Sequence, residues 1–296
     1  MSLEVRFLNG GHCRQLLALI DRRTWRWVKF HAVFLAVRHP QEGWVLVDTG
    51  YGGRFPEATR GWPHRLYRWA TPATMAGSTT DVLRRAGLAP ESIRHVIVTH
   101  FHADHAGGLA EFPAATFHHH AEAWRTLAAL RPLRQVRAAF LPALVPPWLA
   151  GKARLIEATR FKPSSSLPFP THDLFGDGLI TLVDLPGHAP GHLGILLPGE
   201  PRPLLYATDA YWHLAQVDRG VDFTRRPVEG VQQKLVVGDL RRHPQHLGVN
   251  GRHPPTCIHD RDCPARLAAS APGMPFGPAM SHPATSNAPH PGLKKR

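Results

Sequence analysis

The six residues 100–105, which read His-Phe-His-Ala-Asp-His, constrain this 296-residue chain more than any other feature. Four of the six carry side chains that bind metals. They follow residues 94–99, a β-branched run that predicts a buried strand. Proteins commonly build their sites on the loops at strand ends. The segment therefore predicts a metal site at the end of a strand.

The order of these residues predicts two ions rather than one. Alternate side chains of an extended backbone point the same way, so His100 and His102 can grip one ion. The residues at 106–108, Ala-Gly-Gly, predict a bend, because glycine tolerates conformations that other residues avoid. Beyond the bend, Asp104 and His105 can face a second ion. Imidazole with carboxylate suits zinc, and also iron, manganese or cobalt.

The chain has 21 histidines, and most of those outside this segment have no such context, so we expect them to pack or to lie on the surface. This expectation covers His12, His39, His64, His95 and the run His118–His120. The three cysteines are sparse and form no closely spaced pair, which excludes a cysteine-rich zinc site and a disulfide framework.

Charge and hydropathy limit the partners. The formal net charge is +13, but the arginines are scattered, so we expect a solvated basic surface and no nucleic-acid partner. The start of the chain lacks a signal-peptide pattern, and no apolar stretch is long enough to span a membrane. The sequence thus predicts a soluble, cytoplasmic protein with a small-molecule substrate and no membrane partner, and it leaves the oligomeric state open.

Helix and strand patterns alternate in two successive halves, which predicts a sandwich of two mixed sheets with helices on the outer faces. Composition changes at about residue 263, where Pro, Ala and Ser begin to dominate. The sequence therefore predicts one domain over 1–262 and a disordered tail over 263–296. The segment 131–170 reads as a partly helical cover. The predicted strands are Val5–Leu8, His31–Arg38, Trp44–Val47, Arg94–Thr99, Ala115–His118, Leu179–Asp184, Gly194–Leu197, Leu204–Thr208 and Thr256–Ile258, and the predicted helices begin near Thr79, Ala121 and Val228.

Several segments together resemble the metallo-β-lactamase superfamily, in the same order along the chain. Residues 99–108, THFHADHAGG, resemble its signature. Residues 47–50 (VDTG), 186–192 (PGHAPGH) and 207–209 (ATD) resemble its early turn, its later histidine segment and its late aspartate. The similarity covers roughly residues 30–260. It implies an αββα sandwich of four layers, with the metals in a groove at its edge.

The resemblance also implies a role for each residue. His100, His102 and His188 would bind the first of two divalent ions, most simply zinc, and Asp104 and His105 would bind the second. Asp209 would bridge both ions, and Asp104 or Asp209 would shuttle a proton. Asp48 would support the ligand loop, while His192 would pack or hydrogen-bond nearby.

The family expects one further histidine for the second ion, and His259 is the best candidate because it follows the β-branched residues 256–258. His243, His246 and His253 compete. The stretch 240–255 departs from the family pattern through its glycines and prolines, and an aberrant or frame-shifted gene end would explain it. In that case the second metal would be weakly held or absent.

The implied reaction is hydrolysis of an ester, lactone or thioester carbonyl by metal-activated water. The overall pattern resembles the lactonase-like branch, which includes acyl-homoserine lactonases, although Trp212 stands where those enzymes carry a tyrosine. Alternatives are a glyoxalase II-like thioesterase, a nuclease of the superfamily, a mononuclear iron dioxygenase of the persulfide type, and a metal-poor binding protein. Eight aromatic residues in 51–77 and 131–170 are candidates for the groove walls: Tyr51, Phe55, Trp62, Tyr67, Trp69, Phe140, Trp148 and Phe161.

Overall fold

The fold is that of a computed structural model, which describes residues 3–19, 25–199 and 203–210. These residues form strands and short helices joined by turns. The strands are β1 (Glu4–Leu16), β2 (Trp27–His39), β3 (Gly43–Val47), β4 (Ala73–Met75), β5 (Ile93–Ile97), β6 (Thr116–His120), β7 (Ala153–Ile156), β8 (Thr171–Asp173), β9 (Thr181–Asp184), β10 (Leu193–Leu197) and β11 (Leu204–Tyr206). The α-helices are α1 (Phe55–Ala58), α2 (Arg65–Ala70), α3 (Thr79–Arg85), α4 (Ala103–Ala106), α5 (Ala121–Ala128), α6 (Pro132–Arg137) and α7 (Leu149–Lys152).

The strands form two sheets. The larger sheet has the order β4-β1-β2-β3-β5-β6-β7, and the smaller has the order β11-β10-β9-β8. The larger sheet is mixed, because β1, β2 and β3 pair antiparallel whereas β3, β5, β6 and β7 pair parallel. Strands of the smaller sheet pair antiparallel. The predicted sandwich of two sheets is confirmed.

Strand β2 shows how the layers are held together, because its two faces pack against different partners. Val33 and Leu35 belong to the core between the sheets, with Leu182 and Ile195 of the smaller sheet. Burial on both faces explains why β2 reads as a continuous apolar run rather than an alternating one.

The intervening residues of the larger sheet, such as Phe34 of β2, form a second core with the outer helices. Val82 and Leu83 of α3 and Leu127 of α5 pack into this second core. These helices form a layer on the outer face of the larger sheet, as the sequence pattern predicted.

Strand β1 differs most from its prediction. It continues to Leu16, well past the predicted end at Leu8, and its pairing with β2 shifts register between Asn9 and His12. A bulge of this kind lets a strand continue through glycines, which sequence patterns treat as turns. The helix predicted from Val228, the strand Thr256–Ile258, the domain end at 262 and the tail 263–296 lie outside the described residues.

The cover predicted over 131–170 contains α6, α7 and short 3₁₀ turns, and is therefore partly helical as predicted. Within the described parts of the chain, no helix combines the length and apolar character needed to cross a bilayer.

Candidate metal centre

The candidate site lies at one edge of the sandwich, where three loops meet. One loop follows β5 and carries the histidine-rich segment 100–105; a second joins β9 to β10; the third follows β11. The loops bring together six of the seven residues predicted as metal ligands. Ligand atoms of His100, His102, His188 and Asp209 all lie within 4.8 Å of one another, and so do those of Asp104, His105 and Asp209.

The first of these groups is a convergence of imidazole nitrogens. The Nε2 atom of His188 lies 3.2 Å from Nε2 of His100 and 3.0 Å from Nδ1 of His102. The Oδ2 atom of Asp209 lies 3.4 Å from the same His188 nitrogen. Nitrogens and a carboxylate oxygen thus face one common point.

The second group shares Asp209 with the first. The Nε2 atom of His105 lies 3.3 Å from Oδ1 of Asp209 and 3.6 Å from Oδ2 of Asp104. Because Asp209 turns one carboxylate oxygen to each group, it occupies the position expected of a bridging residue.

Buried Asp48 holds the loop that carries these histidines. Its carboxylate accepts hydrogen bonds from the backbone N–H of Thr99, from the Thr99 hydroxyl and from Nδ1 of His105, each at 2.8 Å. Its backbone adopts a φ of +65°, a conformation that aspartate tolerates better than most residues. The three bonds connect the end of β3 to the start and end of the ligand loop.

These bonds also decide which histidine nitrogens face the site. The Thr99 hydroxyl donates its single proton to Asp48, so it accepts from Nδ1 of His100 at 3.1 Å. His105 likewise uses its Nδ1 proton on Asp48. In neutral His100 and His105 the Nε2 lone pairs are therefore directed into the site. Such second contacts are what orient metal-binding histidines.

The electrostatics of the cluster suit a cation. Burial, together with the neighbouring histidines, lowers the pKa of both His100 and His188 well below the ordinary value, which keeps these imidazoles neutral. Burial also acts to lower the pKa of His105, but the carboxylates of Asp104, Asp48 and Asp209 outweigh it and raise that pKa well above the ordinary value. Among the described residues, the buried Nε2 of His105 has no hydrogen-bond partner. Converging lone pairs beside two carboxylates form a donor set that fits divalent transition metals.

The chain bends after His102 as predicted, but the reason given for the glycines was wrong. His102 precedes the helical turn α4, which carries Asp104 and His105, and both Gly107 and Gly108 have ordinary negative φ values. What the glycines provide is space. A Cβ atom on Gly107 would lie 1.8 Å from the carbonyl oxygen of Tyr51, so the loop could not pack against it.

His192 is a positioning residue for the aspartate loop. Its Nδ1 donates to the carbonyl of Leu185 at 3.0 Å, and its Nε2 shares a hydrogen bond with the hydroxyl of Thr208, which also lies 3.2 Å from the carbonyl of Leu193. Thr208 adopts a φ of +48° and immediately precedes Asp209. The sequence prediction that His192 hydrogen-bonds near the site is consistent with these contacts.

Sequence reasoning missed Cys13, which belongs to the buried cluster next to the site. The thiol of Cys13 is buried in β1 beside Tyr51, with which it shares a hydrogen bond, and burial raises its pKa to about 12. The charge of Asp104 contributes to that rise, and it also raises the pKa of buried Tyr67 after the larger effect of burial. A lone cysteine in a strand carries no pattern that would have predicted this position.

The aromatic residues predicted to line a groove take different places. Tyr51, Phe55 and Tyr67 form a buried cluster with Ala103 and Leu141 beside the site.

For three of the eight the prediction was wrong. Phe140 and Trp148 pack in the outer core, and Phe161 packs between the sheets. Trp62 and Trp69 are exposed. The run His118–His120 is buried in β6 and takes no part in the two ligand groups of the described residues, as expected.

Two sequence predictions concern residues that the structure does not describe. His259, predicted as the last ligand, lies outside the described residues, and so do its competitors His243, His246 and His253. Trp212, which stands at the position of the expected tyrosine, lies outside them as well.

Comparison with known proteins agrees with this fold. The family described as "Metallo-beta-lactamase superfamily" matches residues 27–221. A probable metallo-hydrolase of Mycobacterium tuberculosis is 28% identical over 239 residues, which cover 75% of this chain and 72% of that protein. An N-acyl homoserine lactonase of Rhizobium radiobacter is 32% identical over 142 residues, 45% of this chain and 47% of that lactonase.

The fold is also similar to that of solved structures. A quorum-quenching N-acyl homoserine lactone lactonase superposes with a TM-score of 0.57 at 19% identity, covering 75% of this chain and 80% of that one. This likeness confirms the predicted fold class.

Proposed function

We propose that this chain, which belongs to the metallo-β-lactamase superfamily, opens the ring of an acyl-homoserine lactone-type ester at a pair of divalent metal ions. The chain is a metallo-hydrolase that resembles the lactonase-like branch. The observation that carries the proposal is the pair of ligand groups that share Asp209. Two adjacent groups with one common carboxylate are the arrangement that two-metal hydrolysis requires.

In this proposal, His100, His102 and His188 hold the first ion, Asp104 and His105 hold the second, and Asp209 contacts both. Zinc fits the mixture of imidazole and carboxylate, and His259 would complete the second set. When bound, the ions supply a water of lowered pKa and polarise the substrate carbonyl.

The protein's own residues hold the ligands and move the proton. Asp48 and Thr99 keep the Nε2 lone pairs of His100 and His105 pointed at the centre. Asp104 and Asp209 offer carboxylate oxygens that can take a proton from the attacking water and return it to the leaving ring oxygen. No serine or cysteine nucleophile is needed, and the buried Cys13, whose pKa is raised, stays a thiol.

The substrate class rests on the lactonase relatives and on the apolar cluster beside the centre. Tyr51, Phe55 and Tyr67 form this buried cluster, which makes the protein interior next to the centre apolar. The cytoplasmic location predicted from the sequence stays a prediction.

A substrate panel tests the proposal. Metal-loaded protein is assayed on acyl-homoserine lactones, thioesters, a β-lactam and a phosphodiester, with His102→Ala as the inactive control. We expect lactone hydrolysis to be fastest and to fall at least about 100-fold in the variant. Preference for the thioester would favour a glyoxalase II-like enzyme, and preference for the phosphodiester a nuclease. Full activity of His102→Ala would refute metal-centred hydrolysis.

A further inference from the structure

The strong positive charge of the chain plays no part in the proposed reaction. In the structure, the acidic residues that pair with arginines are unevenly distributed. One arginine in each of β1, α3 and α5 has an acidic partner: Arg6 pairs with Glu4, Arg84 with Asp81, and Arg125 with Glu157. By contrast, residues 58–80 and 123–156 contain no Asp or Glu. These two acid-free segments carry α2 and α6, which lie beside the candidate metal centre.

Helix α2 has an inner and an outer face of opposite character. Its inner face buries Tyr67 in the aromatic cluster next to the centre. Its outer face carries Arg65 and Trp69, four residues apart, and Trp62 lies three residues before Arg65 in the turn that leads into the helix. Trp62 and Trp69 are 64% and 65% exposed.

The guanidinium of Arg65 lies between the two tryptophan rings. It is 5.6 Å from the centroid of Trp62 and 5.4 Å from that of Trp69. Cation–π contacts at this distance fix the three side chains as one stripe. Because the guanidinium already covers ring faces, the stripe is poorly suited to stacking nucleic-acid bases.

Helix α6 extends the stripe. His64 at the start of α2 donates a hydrogen bond to Gln135 of α6 at 3.2 Å. Leu133 of α6 is 61% exposed, and Arg134 and Arg137 are exposed beside it. The cap surface is defined by these outer residues: Trp62, Arg65, Arg68, Trp69, Leu133, Arg134 and Arg137. Its four arginines form no ion pair with any residue that the structure describes.

We propose that the cap surface docks the protein on an anionic lipid bilayer. Tryptophans sit at the boundary between headgroups and acyl chains because their rings are apolar with one polar edge, and arginines bind anionic headgroups. Exposed tryptophans rimmed by unpaired arginines, with no carboxylate in either segment, match such a surface in both polarity and charge. The scattered arginines predicted a solvated basic surface without a membrane partner; docking of the cap surface on a bilayer replaces that expectation.

Docking in this orientation would place the buried aromatic cluster and the metal centre just behind the bilayer surface. That consequence for substrate delivery rests on the proposed function. The docking itself does not, because the cap surface contains none of the proposed ligands.

Vesicle binding tests the docking directly. The full metal-loaded chain is sedimented with vesicles of phosphatidylcholine, with and without about one third phosphatidylglycerol, at low and high salt. We expect binding only to the anionic vesicles, weakened by salt. Arg65→Gln/Arg68→Gln should weaken partitioning about tenfold or more, and Trp62→Ser/Trp69→Ser about tenfold. The control Arg6→Gln/Arg84→Gln removes the same charge outside the cap surface and should leave partitioning within about twofold.

Three results would overturn the proposal. The first is no binding of the wild-type chain to anionic vesicles. The second is binding that both cap variants leave unchanged, which would place the contact elsewhere, for example in residues 211–296. The third is binding of a single-stranded oligonucleotide through these residues without vesicle binding, which would make the surface a nucleic-acid interface. Hydrolysis of a water-soluble short-chain lactone by the cap variants should match the wild type, so failure of docking and failure of the proposed reaction are separable.

Discussion

Replacing Asp48 by Asn tests how the fold prepares the second metal group. Asp48 accepts one hydrogen bond from a backbone amide and two from side chains, and the two side-chain bonds share one oxygen. An amide has only one accepting atom, so Asp48→Asn loses at least one of these buried bonds in either orientation. Each such bond to a carboxylate contributes about 1.5 to 3 kcal/mol, and we expect the free energy of unfolding to fall by that amount.

The effect on metal binding should be selective. Without the carboxylate, His105 can carry its proton on Nε2, which is the atom directed at Asp209. Loss of such a supporting contact typically costs about 10- to 100-fold in metal affinity or activity. We therefore expect Asp48→Asn to retain one tightly bound zinc and to bind the second about 10- to 100-fold more weakly, because His105 bonds Asp48 directly whereas His100 is linked to it only through the Thr99 hydroxyl.

The assay is a zinc titration followed by metal analysis of the desalted protein, with lactone hydrolysis measured on the same samples. Asp173→Asn is the matched control, because the half-buried Asp173 carboxylate at the end of β8 accepts backbone hydrogen bonds from Gly176 and Gly178 and belongs to neither ligand group. If Asp48→Asn held both zinc ions with wild-type affinity and activity, the argument that Asp48 orients His105 would be refuted.

Two further changes test the packing and the titration of the fold. Gly107→Ala should unfold at a much lower temperature, with a loss of about 3 kcal/mol or more, because its Cβ would collide with the carbonyl of Tyr51; Gly151→Ala, which meets nothing within 4 Å, should be nearly silent. Burial lowers the pKa of His118 to about 3, so the fold binds fewer protons there than the unfolded chain. Its contribution to stability is present above about pH 6.5 and is lost as the pH falls towards 3. Denaturant unfolding between pH 4 and 7 should show a shallower pH slope in His118→Gln, by about 3 kcal/mol over that range, and an unchanged slope would contradict the buried neutral state.

The ligand loop could be predicted from sequence because the residues that determine its conformation are neighbours in the chain. A β-branched strand, alternate histidines and a following helical turn determine the direction of each side chain within a few residues. What local pattern could not reveal is contact between distant segments. The role of Gly107 depends on Tyr51, which lies more than fifty residues away in the chain, and both glycines adopt backbone conformations open to any residue.

The same reason explains the other differences. Strand β1 passes through Gly10 and Gly11 because a bulge and the neighbouring β4 accommodate them, whereas a sequence pattern reads two glycines as a turn. The extension of β1 also brings Cys13 into the buried cluster with Tyr51 and Ala103, next to Asp104. The aromatic residues of 131–170 were assigned to a groove from composition, but Phe140 and Phe161 belong to two different cores.

The most direct test of the account is the zinc content of Asp209→Asn compared with that of Asp104→Asn and the wild type, measured by mass spectrometry after equilibration with limiting zinc. Among the residues that the structure describes, only Asp209 belongs to both ligand groups. A centre built around a shared Asp209 predicts two zinc ions in the wild type, one tightly held ion in Asp104→Asn, and weakened binding at both positions in Asp209→Asn, with lactone hydrolysis lost in step. A wild-type chain that binds no transition metal, or an Asp209→Asn variant that retains both ions, would contradict it.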